Sequence, residues 1–138
     1  MNFDRMLAPM QPLFLSVLRI VMGLLFLHYG IAKFFKFPVV PFFAKLTNLQ
    51  IVAGSLEFAG GILLIVGLFT RPVAFILSGL MAFAYFLGHG LRNGLSETTF
   101  LPIANGGVSA LIFCFVCLYL AAAGGGPLSL DAIVRRRA

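Results

Sequence analysis

Residues 13–35 read LFLSVLRIVMGLLFLHYGIAKFF, and this run decides the fold. A helix that crosses a bilayer needs about 20 mostly apolar residues. The run meets that length with Arg19, His28 and Lys33 as its ionisable residues, and it stops before Lys36-Phe37-Pro38. It is longer than the apolar core of a secretory signal and carries Arg19 inside it, so it reads as a permanent helix. Three further stretches repeat the pattern, at 50–68, 72–91 and 103–124. Each is bounded by residues suited to a helix end: Thr70-Arg71-Pro72, then Arg92-Asn93-Gly94, then Gly124-Gly125-Gly126-Pro127. Pro72 and Pro102 stand at helix starts, where a missing N–H costs little.

Composition agrees. Of 138 residues, 61% are apolar and only fourteen are charged, ten basic and four acidic. The mean hydropathy is +1.06. Soluble domains carry about a quarter charged residues, so a soluble fold is excluded. The apolar content excludes disorder, and two cysteines exclude a disulfide framework. A net charge of +6 raises nucleic acid as a partner, but the basic residues are too scattered to follow a phosphate backbone. The expected fold class is all-α: an integral membrane four-helix transmembrane bundle forming one domain over 1–138, with the lipid bilayer as its surroundings. Residues 37–49, with Pro38, Pro41, Phe42, Phe43 and Lys45, read as an interfacial or re-entrant segment between the first two helices. Four spans put both termini on one side. That side carries Arg5, Arg71 and Arg135 to Arg137, the other Lys33, Lys36, Lys45 and Arg92. The triple arginine tips the expectation towards cytoplasmic termini.

Ionisable residues within spans are costly and need a partner or a purpose. Arg19, His28, Glu57 and His89 are the ones here, while Lys33 and Arg92 lie near span ends and are expected to snorkel to water. Counting from span ends places His28, Glu57, Tyr85, His89 and Asn105 in the same half of the membrane. On the third span Ser78, Ala82, Tyr85, His89 and Arg92 follow one helical stripe; on the second, Gly54, Glu57 and Gly61 make a small-residue face around the acid. Arg19 shares a stripe with Gly23, Gly30 and Lys33, and His28 points about half a turn away. Arg19 therefore serves helix packing, or reaches Glu57. Three readings stay open: structural glue between helices, a pocket for a small polar or amphipathic molecule, or a haem or metal held by His28 and His89. Glu57, His28 and His89 are the catalytic candidates; Tyr85, Asn105, Ser78 and Arg19 are the ligand-binding ones. No metal set is assigned. Cys114 and Cys117 sit at mid-span, where a thiolate is disfavoured, and read as small apolar filler rather than a redox pair. No nucleotide-binding glycine motif is present.

The run Arg19…Gly23…Phe26…His28-Tyr29-Gly30…Lys33-Phe34-Phe35 resembles the opening helix of DoxX proteins. Glu57…Gly60-Gly61…Gly67-Leu68-Phe69-Thr70-Arg71 is similar to that family's second helix and turn. Asn105-Gly106-Gly107, Tyr119 and Pro127-Leu128-Ser129-Leu130-Asp131 are similar to its last helix and tail. One departure is Val108, where the family often has an acid. The resemblance implies a small four-helix protein of the bacterial inner (plasma) membrane. Relatives include a subunit of a thiosulfate:quinone oxidoreductase and a membrane partner in a thiol-stress oxidoreductase complex.

Three functions are then in view. The first is the membrane subunit of a redox complex, with a soluble redox partner protein and an outer-leaflet pocket for a quinone or small sulfur compound. The second is a non-catalytic anchor or assembly factor. The third is a small proton-coupled exporter working as a homo-oligomer.

Overall fold

The computed structural model describes residues 2–92 and 94–138; its regular secondary structure is all helical, with no strand among the described residues. A short helix α1 (Phe3–Leu7) and a 3₁₀ turn lead without a break into α2 (Gln11–Phe34), with Pro12 in its first turn. Helix α3 (Asn48–Val66) begins at a capping box: the Thr47 side chain accepts from the Gln50 backbone N–H, and the Gln50 side chain accepts from the Thr47 N–H. It ends at Gly67, whose φ of 72° is the left-handed conformation that helix termination requires. Helix α4 (Thr70–Phe83) runs on into a π-helical segment, Ala84–Gly90. Then come α5 (Pro102–Asn105), α6 (Val108–Ala123) and a C-terminal helix α7 (Leu130–Arg137).

The first three expected spans are present, each displaced by no more than two residues at either end. The fourth is corrected. Residues 103–124 are not one helix, because Gly106 (φ 73°) and Gly107 interrupt it, and the Asn105 side chain accepts the Gly107 N–H across the break. Among the described residues, three helical stretches are long and apolar enough to cross a membrane, namely Phe3–Phe34, Asn48–Val66 and Thr70–Gly90. The fourth apolar helix, Val108–Ala123, has 16 residues and is shorter than the others.

The helices pack as two close pairs, α2 along α3 and α4 along α6, with lighter contact between the pairs. Glycine lets the first pair approach: a Cβ on Gly61 would lie 2.6 Å from the Leu27 backbone nitrogen, and one on Gly23 would lie 2.8 Å from the Gly61 carbonyl oxygen. Between the pairs lies a shared core of Met22, Phe26, Leu64, Leu77, Met81 and Leu120, which also takes in Cys117. Cys114 and Cys117 are unbridged.

One end of the bundle is tied by side chains that complete helix termini. The last carbonyls of a helix have no partner within it. Arg19 is fully buried, and its guanidinium donates to two of them on α3, Leu64 and Ile65. The same group donates to the carbonyls of Gly125 at 2.8 Å and Leu128 at 2.6 Å in the C-terminal segment. Arg71 donates to the Ala122 carbonyl at the end of α6, at 2.6 Å. Asp131, on α7, accepts the Phe69 and Thr70 backbone N–H groups at the start of α4, at 2.9 and 2.8 Å. The α7 helix was not foreseen from sequence, and it is what brings Asp131 to that position.

Candidate functional site

The opposite end of the bundle opens into a cavity of about 700 Å³. Its walls come from both helix pairs and from the loop between α2 and α3. Most of the lining is apolar: Leu80, Met81, Ala84 and Leu87 on one side, Ala53, Ala110 and Phe113 on others, and Phe42 and Phe43 over the end. The polar groups are few. They are Lys33, Glu57, His89 and Arg92, with Tyr29, Thr47, Gln50 and Ser109.

Lys33 and Glu57 decide the electrostatics. The Lys33 Nζ lies 2.5 Å from Glu57 Oε2, and the two side chains are only 7% and 5% exposed. Gly54, one turn before Glu57, leaves room for the lysine stem, since a Cβ there would stand 3.0 Å from Lys33 Cδ. The Phe43 ring lies 5.3 Å from the ammonium and shields it further. In so apolar a setting each charge depends on the other. The expectation that Lys33 snorkels to water is therefore corrected: its arm turns inward to the acid. Lys33 shares a stripe with Gly23 and Gly30, the face that meets α3, and that signal was legible in the sequence.

His89 reaches the cavity from the π-helical segment, which widens the last turn of the third span. Its Nδ1 lies 3.2 Å from the Asn105 carbonyl oxygen. A carbonyl only accepts, so Nδ1 carries the hydrogen and the neutral ring keeps Nε2 as its acceptor. Arg92 closes the mouth, its guanidinium 4.6 Å above the Phe42 ring. The Lys36 ammonium donates to the Phe43 carbonyl and holds the same loop.

Of the seven residues singled out from sequence, Glu57 and His89 line this cavity. Tyr85 and Asn105 support it from behind. The Tyr85 hydroxyl donates to the Phe100 carbonyl at 2.6 Å, and the Asn105 amide donates to the Thr99 carbonyl at 3.0 Å. Ser78 lies deeper, donating to the Cys114 carbonyl at 2.8 Å between α4 and α6. Arg19 belongs to the other end, committed to four carbonyls, and does not meet Glu57. His28 is exposed on the outer face of α2 and is not part of the cavity wall, because its neighbour Tyr29 takes the inward position. The two histidines named as haem ligands therefore do not share a site. Among the described residues no three of His, Cys, Asp or Glu cluster in a way that could hold a metal ion. Sequence reasoning left six polar residues of the cavity out of the site: the charged Lys33 and Arg92, and Tyr29, Thr47, Gln50 and Ser109.

The sequence pattern of the DoxX family matches residues 14–90, which run from α2 to the end of the π-helical segment. A protein of Haemophilus influenzae, described as an uncharacterized protein, is 43% identical over 129 residues, covering 88% of this chain and 90% of the relative. No solved structure matches. The match over more than half of the chain and the near full-length relative place it: the chain belongs to the DoxX family.

Proposed function

We propose that this membrane protein is the integral subunit of a redox assembly, and that its cavity receives the headgroup of a lipid-soluble quinone. The observation that carries the reading is a large apolar cavity whose wall holds one buried ion pair and one histidine acceptor. Ligand sites are mostly apolar with a few convergent polar groups, and this one has that character. A quinone ring suits the Phe- and Leu-lined space. Its carbonyls need donors, which Lys33 supplies. The hydroxyls of the reduced form need acceptors, which Glu57 and His89 Nε2 supply. Reduction takes up two electrons and two protons. A soluble partner protein that oxidises a small sulfur compound delivers the electrons, while the Glu57 carboxylate and His89 Nε2 each take up a proton from water at the cavity mouth and pass it to a quinone oxygen.

In the same reading the chain forms one transmembrane domain in a bacterial plasma membrane, with both termini cytoplasmic. Helix α6 is its fourth crossing. At 1.5 Å per residue its 16 residues span about 24 Å, short of a hydrocarbon layer of about 30 Å. Local thinning and the flanking α5 make up the difference.

A second reading, a non-catalytic anchor, is favoured by Arg19, whose bonds are all structural. One experiment separates the two. The chain contains no Trp, so a Leu87→Trp variant carries a single indole in the cavity wall. In nanodiscs, a short-chain quinone should quench it saturably, and Ala53→Phe, which puts a bulky ring into the cavity, should weaken the saturable quenching. Quenching that rises only linearly, as by partition into lipid, would leave the anchor reading standing.

A further inference from the structure

The turn after α6, Gly124-Gly125-Gly126-Pro127, has no part in the large cavity. It borders a second cleft of about 240 Å³ at the Arg19 end, completed by Leu15, Ala123, Ser129, Ala132 and Arg135. We propose that this cleft binds a phosphate group, carried either by an anionic phospholipid or by free phosphate.

The backbone is arranged for an anion. Arg19 Nε holds the Gly125 carbonyl at 2.8 Å. The Gly125–Gly126 peptide is trans, so the Gly126 N–H points the opposite way, away from the buried guanidinium. Neither the Gly125 nor the Gly126 N–H meets an acceptor among the described residues, although Gly125 is buried. Buried backbone donors without an acceptor are rare, and successive free N–H groups form a concavity that anions fill.

Charge follows the same line. Arg135 lines the cleft and makes no ion pair among the described residues. The Arg71 guanidinium lies against the turn, 3.5 Å from where a Cβ of Gly124 would stand. Asp131 is the acid nearest Arg135, but its oxygens are engaged by the Phe69 and Thr70 N–H groups. Ser129 adds no free donor, because its hydroxyl already donates to the Gly126 carbonyl at 2.7 Å. Leu15 and Ala123 give the cleft an apolar side on which a glycerol backbone can rest. The site stands whether or not the large cavity takes a quinone.

The test uses the full chain in phosphatidylcholine nanodiscs with a minority of phosphatidylglycerol, and counts lipids retained by native mass spectrometry. Arg135→Gln is compared with Arg137→Gln, which removes the same charge from the same exposed helix but not from the cleft. Retention of one phosphatidylglycerol should fall about tenfold in Arg135→Gln and less than about twofold in Arg137→Gln. A parallel arm titrates inorganic phosphate against protein in neutral detergent and follows the phosphorus-31 linewidth. Arg135-dependent broadening without lipid retention assigns the site to free phosphate. Equal losses in both variants, or no Arg135 dependence in either arm, would overturn the proposal.

Discussion

Lys33 and Glu57 meet at 2.5 Å across α2 and α3, with both side chains nearly sealed from solvent. Two desolvated charges of this kind hold one another in place. Removing either partner leaves the other uncompensated, at a cost of about 3–5 kcal/mol. Lys33→Met and Glu57→Met should each lower the unfolding midpoint in detergent by that equivalent. The double Met variant should recover most of the loss. Additive losses in the double variant would show that the two residues act separately.

Arg19 makes a complementary prediction at the other end. Its planar fork reaches carbonyls on α3 and on the C-terminal segment together, which a lysine ammonium cannot do. Arg19→Lys leaves buried carbonyls unpaired, each costing about 1–3 kcal/mol. The Gly124, Leu128 and Asp131 amides, which are hydrogen-bonded in this segment, should lose hydrogen-exchange protection, while quinone quenching of the Leu87→Trp indole stays unchanged. Loss of that quenching instead would show that Arg19 acts on the cavity.

These two residues show what the sequence revealed and what it hid. Spans one to three were legible because an apolar run of sufficient length has one outcome in lipid. The fourth was not, since a Gly pair inside an apolar run can be helical, and the break shows in the left-handed Gly106 and the Asn105 bond to the Gly107 N–H. Depth counting brought Glu57 and His89 together, but it measures Cα positions. It therefore set Lys33 at the surface, although its long arm reaches back to the acid. His28 matched Glu57 in depth and failed on azimuth, because Tyr29 holds the inward direction. The π-helical segment shifts the phase of the third span locally, which no stripe drawn at regular spacing anticipates.

Asp131 gives the molecule a pH dependence at the Arg19 end. Burial opposes its ionisation, but the Thr70 and Phe69 N–H groups and the charge of Arg135 outweigh that and hold the carboxyl below its ordinary value. Its stabilisation is therefore complete above the unfolded value of about 3.9. It is lost as pH falls through the lower folded value. Asp131→Asn should cost about 1 kcal/mol at neutral pH, as for loss of a helix cap. Unfolding midpoints of wild type and variant should converge as pH drops below about 4. A constant gap across that range would place the stabilisation elsewhere.

Two glycines on neighbouring helices predict opposite signs for one substitution. At Gly61 a new Cβ would lie 2.6 Å from the Leu27 nitrogen and 2.8 Å from the Gly23 carbonyl oxygen. Both are backbone atoms and have no rotamer to move to, so α2 and α3 must separate. Overpacking of this kind costs about 1–3 kcal/mol, and it also disturbs the Lys33–Glu57 pair one turn away. At Gly79 nothing lies within 4 Å of the added carbon. There the change only removes the flexibility of a glycine within a helix, which stabilises by about 0.5–1 kcal/mol. Gly61→Ala should lower the unfolding midpoint in detergent and Gly79→Ala should raise it slightly. A Gly61→Ala protein as stable as wild type would mean that α2 and α3 lie further apart than this contact requires, and the buried ion pair would then lose the close approach that seals it from water.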